Sequence, residues 1–87
     1  MAWFYKIIIY ENHVNLQMIT LQEVLYKIQE LVNEQDVVPI ERVFKAFNNS
    51  PAVHIHIETL SILDFIEIDL KKGTITLTLN GKLTNNP

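Results

Sequence analysis

Apolar residues return along this chain with two different periods, and the change of period divides it into elements. Leu21, Val24, Leu25, Ile28, Leu31 and Val32 recur at three- and four-residue spacing, the single stripe of an amphipathic helix. Thr20-Leu21-Gln22-Glu23 ahead of them has the form of a capping box. There the Thr hydroxyl takes an orphan amide of the first turn and the Glu can reach back to the cap amide. The pattern predicts a helix over 20–34. Asp36-Val37-Val38 reads as a short extended connector, because the residue before a proline disfavours helix. Pro39 suits a first helical position. Ile40, Val43, Phe44 and Phe47 then make a second stripe, so a helix is predicted over 39–48, broken by Asn48-Asn49.

Ser50-Pro51 repeats the start signal of a cap hydroxyl followed by proline. The segment from Ala52 to Glu58 has two readings. As a helix, Val53, Ile57, Leu60 and Leu63 form a core stripe with His56 beside it. As a strand, Val53, Ile55 and Ile57 alternate with His54, His56 and Glu58. The start signal and the length to Asp64 favour a helix over 50–64. The period then drops to two. Ile66, Ile68 and Leu70 alternate with Glu67 and Asp69, and Ile75, Leu77 and Leu79 alternate with Thr74, Thr76 and Thr78. Two half-buried strands are therefore predicted at 65–70 and 74–80. Lys71-Lys72-Gly73 supplies the turn between them, with Gly73 free to take a positive φ. At the other end, Trp3-Phe4-Tyr5-Lys6-Ile7-Ile8-Ile9-Tyr10 reads as an N-terminal strand over 3–10, and 83–87 as a frayed tail.

The chain has 87 residues, of which 48% are hydrophobic. That suits one small α+β domain with a modest core. Without a cysteine it has no disulfide framework and no thiolate metal site. The net charge is −3, and it is unevenly placed. Residues 1–38 hold two cations against five acids, whereas residues 39–87 hold five of each. The chain as a whole is no electrostatic magnet for nucleic acid. No apolar run reaches membrane-spanning length, and the one near Met1 contains Lys6 and lacks a small-residue cleavage site. A cytoplasmic protein without a membrane partner is the expectation.

Three segments carry the resemblance to a known family: Val38-Pro39-Ile40-Glu41, Leu60-Ser61-Ile62-Leu63-Asp64-Phe65-Ile66, and Thr76-Leu77-Thr78-Leu79-Asn80-Gly81. Together with the order of helices and hairpin they resemble the winged-helix fold, a helix-turn-helix variant, over about residues 20–82. The resemblance implies three helices and a C-terminal β-hairpin wing, to which this chain adds its N-terminal strand. It also implies a transcriptional regulator that binds DNA, often as a homodimer, with the third helix in the major groove and the wing on the flanking backbone. Carried onto this sequence, the groove-facing residues are His54, Ile55, Glu58 and Ser61. The backbone contacts are Arg42 and Lys45 on the second helix and Lys71 and Lys72 at the wing tip. The chain departs from that pattern in the third helix, since residues 50–64 contain no Lys or Arg. Those are the side chains that most often read base edges and neutralise phosphate.

A protein-interaction module is therefore the competing expectation. Its candidate interface residues are Ile55 and Ile62, which lie off the helical core stripe, and the aromatic Trp3, Phe4, Tyr5 and Tyr10. An N-terminal strand can also pair with its copy in a second chain or pack within the domain. His54, His56 and Glu58 would share one side of a strand, with His13 as a further imidazole, but on a helix they diverge. With helix favoured, no metal and no cofactor are expected. Gly73 and Gly81 are the only glycines, and Ser50 and Ser61 have no recognisable base partner. The chain is accordingly expected not to be an enzyme.

Overall fold

The structure, a computed structural model, describes residues 19–84. The first helix, α1, spans Leu21–Leu31 and starts where the capping signal places it, with Thr20 Oγ1 accepting from the Glu23 amide at 3.1 Å. It ends three residues short of the expected 34. Val32 is extended, and Asn33 Oδ1 accepts the amides of Gln35 and Val37, folding the chain into a turn that Asp36 completes at φ 65°.

The connector after it is a strand. β1 spans Val37–Pro39 and pairs antiparallel with the last strand of the hairpin. α2 comes directly after it over Ile40–Ala46, shorter than the 39–48 expected because Asn48 and Asn49 both take left-handed φ values, which Asn tolerates better than most residues. α3 spans Pro51–Ile62. The ambiguity over residues 52–58 thus resolves to helix, with Val53, Ile57 and Leu60 buried at four- and three-residue spacing. Its cap differs from expectation. Ser50 holds the N-cap position, yet its hydroxyl makes no capping bond and is buried without a hydrogen-bond partner among the described residues. Asp64, at φ 66°, turns the chain out of α3.

The hairpin consists of β2 (Ile66–Asp69) and β3 (Thr74–Leu77). Both strands are shorter than their alternation suggests. Asp69 Oδ1 accepts the amides of Lys71 and Lys72, so the turn begins at Leu70, which is 85% exposed rather than core. Gly73 adopts φ 66° in that turn, and its carbonyl accepts the Ile40 amide at 2.9 Å. This bond sets the start of α2 against the turn of the hairpin. At the far end β3 stops at Leu77. Thr78 caps a further helix, α4, over Leu79–Leu83, so Leu79 and Asn80 are helical and Leu79 is exposed. Leu83 belongs to this helix, and Thr84 Oγ1 donates to the Asn80 carbonyl at 2.9 Å. Residues 85–87 of the expected frayed tail lie outside the described ones.

The strands form one antiparallel sheet in the order β1-β3-β2. The register aligns Val38, Ile75 and Ile68 in one inward row and Leu77 with Ile66 in another. The alternate rows, Val37-Thr76-Glu67 and Pro39-Thr74-Asp69, face outward. α1 packs on α2 and α3. Val24, Leu25 and Ile28 meet Val43, Val53, Ile57 and Leu60 and the inward sheet rows in one core. The described residues thus form a mixed α+β fold of four helices and a three-stranded antiparallel sheet.

Candidate interaction surface

Because Val53, Ile57 and Leu60 define the buried side of α3, the helical period fixes what the opposite side presents. At about 100° per residue, Ile55 and Ile62 project within about 20° of each other, directly away from the core. They are 65% and 82% exposed. Glu58 lies three residues after Ile55 and four before Ile62, so it borders both, and it is exposed without an ion-pair partner among the described residues. Thr59 borders them on the other side, its hydroxyl donating to the Ile55 carbonyl at 3.0 Å.

The two histidines of α3 go to separate partners. His54 stacks on Phe44 of α2 with ring centroids 4.1 Å apart. His56 Nε2 lies 2.9 Å from the carbonyl oxygen of Ile19. A carbonyl only accepts, so that nitrogen carries the proton. The bond fastens the residue that leads into α1 to the flank of α3. His54, His56 and Glu58 consequently do not converge, and among the described residues no three His, Cys, Asp or Glu side chains are grouped to hold a metal ion. His13 lies outside the described residues.

Ser61 is partly buried and turns away from Ile55. It lines a shallow, open groove of about 780 Å³ over the outward face of the sheet, beside Asp64, Glu67, Lys71, Lys72 and Thr76. Acids and cations mix along that groove, and its floor is the threonine-rich outward row of β3. The four groove-facing candidates are therefore not a single surface. Ile55 and Glu58 share the outermost face, His54 leans on α2, and Ser61 belongs to the sheet side.

The cations stand elsewhere. Arg42 and Lys45 are exposed on α2, one turn apart, and Lys71 and Lys72 are exposed at the hairpin tip. None of the four joins an ion pair among the described residues, whereas Lys27 pairs with Glu30 and Lys82 with Asp36. Since Ile40 bonds to Gly73, α2 and the hairpin tip bring these two pairs of cations to neighbouring parts of the fold.

Of the aromatic interface candidates, Trp3, Phe4, Tyr5 and Tyr10 lie outside the described residues, as does the expected strand over 3–10. Sequence patterning missed Leu63, which it put in the core. Leu63, which follows the last residue of α3, is 49% exposed. The signal was present in Asp64, since an Asp just after a helical stripe is a common place for the chain to turn left-handed and leave the last residue outside the core. No described helix is long and apolar enough to cross a membrane. No protein-family model, no curated protein and no solved structure matches the chain.

Proposed function

We propose that this chain is a non-enzymatic module on a winged-helix scaffold that docks a protein partner on the outer face of α3. The scaffold reading is supported by the order of elements, in which a short strand precedes α2, α3 comes next, and a hairpin closes the sheet. The observation that carries the docking reading is the exposure of Ile55 and Ile62, at 65% and 82%, on a helix with no Lys or Arg. Paired exposed isoleucines stabilise an interface when covered. A groove-reading helix instead needs donors for base edges and cations for phosphate.

A second reading is a DNA-binding regulator, favoured by the four exposed cations Arg42, Lys45, Lys71 and Lys72, which join no ion pair among the described residues. In that reading they contact phosphates while His54, Ile55, Glu58 and Ser61 approach the groove, and the active form is a homodimer. Fluorescence anisotropy with duplex DNA over a salt series separates the two. The docking reading expects no binding that steepens as salt falls. Salt-dependent binding weakened by Lys71→Ala with Lys72→Ala would establish the second reading instead.

A further inference from the structure

We infer that the docking face of α3 takes a basic amphipathic helix of another protein, with apolar side chains seated on Ile55 and Ile62 and Lys or Arg beside Glu58. The inference rests on the docking reading and adds the chemistry of the partner. Ile55 and Ile62 are seven residues apart, about 10 Å along the helix axis at 1.5 Å per residue. That distance equals two turns of a second helix, so a partner bearing apolar residues at i, i+3 or i+4, and i+7 meets both isoleucines when it lies roughly along α3.

Charge decides which such helix fits. Glu58 adjoins both isoleucines and is exposed with no ion-pair partner among the described residues, whereas Asp64, beyond the end of α3, belongs to the mixed groove with Lys71 and Lys72. No cation on the helix offsets Glu58, because residues 50–64 contain no Lys or Arg. The last turn of α3 also lacks a basic residue, so the negative end of its backbone dipole adds to the same potential. An apolar stripe bordered by Glu58, on a helix that carries no cation, selects a partner with the opposite rim, chiefly by excluding acidic ones.

The test uses the full chain and two synthetic helical peptides with the same leucine stripe, one with Lys and one with Glu at every other position. Calorimetric titration is expected to give binding about tenfold tighter for the Lys peptide. Ile62→Asp should abolish that binding, and Glu58→Lys should reverse the preference. Both positions are exposed, so thermal melting of the two variants should match the parent. Equal affinity for the two peptides, or binding to neither, overturns the inference. Two other occupants would also overturn it. A shift in the emission of Trp3, the only tryptophan, on Ile62→Asp without peptide would assign the face to the chain's own N-terminal segment. A dimer in sedimentation that Ile62→Asp dissociates would assign it to a second copy. If Ile62→Asp abolishes partner capture while neither peptide binds, the docking reading stands and only the basic-helix assignment falls. If Ile62→Asp changes no association of any kind, both fall.

Discussion

Thr78 Oγ1 donates to the carbonyl oxygen of Asp64 at 2.6 Å, and the same hydroxyl accepts the amide of Gly81 at 3.1 Å. One side chain thus caps α4 and ties it to the turn that ends α3. The Thr78 amide adds a bond to the Phe65 carbonyl at 3.1 Å, and Asn80 Nδ2 reaches Asp64 Oδ2 at 3.3 Å. The helix that presents Ile55 and Ile62 is therefore anchored at its exit by the last helix of the described chain.

This junction leaves no room at Gly81. A Cβ there would overlap the Phe65 carbonyl oxygen and press on Leu77 Cδ2. The obstruction is backbone, which cannot rotate aside. Gly81→Ala is expected to destabilise the fold by about 1–3 kcal/mol, read from the midpoint of chemical denaturation. An unchanged midpoint would show that α4 does not pack on the α3–β2 turn.

Gln29 makes the complementary tie from α1. Its Nε2 donates to the carbonyls of Gly81 and Thr84 at 2.7 and 2.8 Å, both partly buried. Gln29→Ala should cost about 1–2 kcal/mol, roughly one net hydrogen bond or slightly more. The loss should be local, with faster amide exchange at Lys82, whose amide bonds to the Thr78 carbonyl within α4. Unaltered exchange at Lys82 would contradict the tie.

These ties explain what the sequence shows and what it hides. Thr20 and Pro51 mark helix starts by local chemistry, and the starts of α1 and α3 fall where they point. The inward alternation of Ile66, Ile68, Ile75 and Leu77 is likewise local and reappears as the inward sheet rows. Thr78 and Leu79 continue the same alternation, yet Thr78 caps a helix because Asp64 and Phe65, distant in sequence, hold it. A three-residue strand such as Val37–Pro39 has no period of its own and exists through its pairing with β3. On the candidate surface, the outward position of Ile55 and Ile62 was legible from the helical period. The separation of Ser61 was legible as well, since six residues at about 100° each turn it about 120° from Ile55, but its place in a groove over the sheet was not, because that depends on where the sheet lies.

The two helix caps offer a paired comparison. Thr20 Oγ1 holds the Glu23 amide, whereas Ser50 Oγ is buried with no partner among the described residues. Thr20→Ala should lower stability by about 1 kcal/mol. Ser50→Ala removes a polar atom that burial already deprives of water, so it should leave stability unchanged or raise it. Thermal denaturation of both variants checks the pair. A loss at Ser50 as large as that at Thr20 would mean that its hydroxyl does find a partner.

The most direct test of the α3 docking face is the association behaviour of the Ile55→Asp, Ile62→Asp double variant of the full chain. Both side chains are mostly in solvent, so the thermal midpoint should match the parent. Co-purified partner and sedimentation should nonetheless show that association is lost. An unchanged association profile in the double variant, alongside duplex DNA binding that weakens on Lys71→Ala with Lys72→Ala, would contradict the account and move the function from the isoleucines of α3 to the cations of the hairpin.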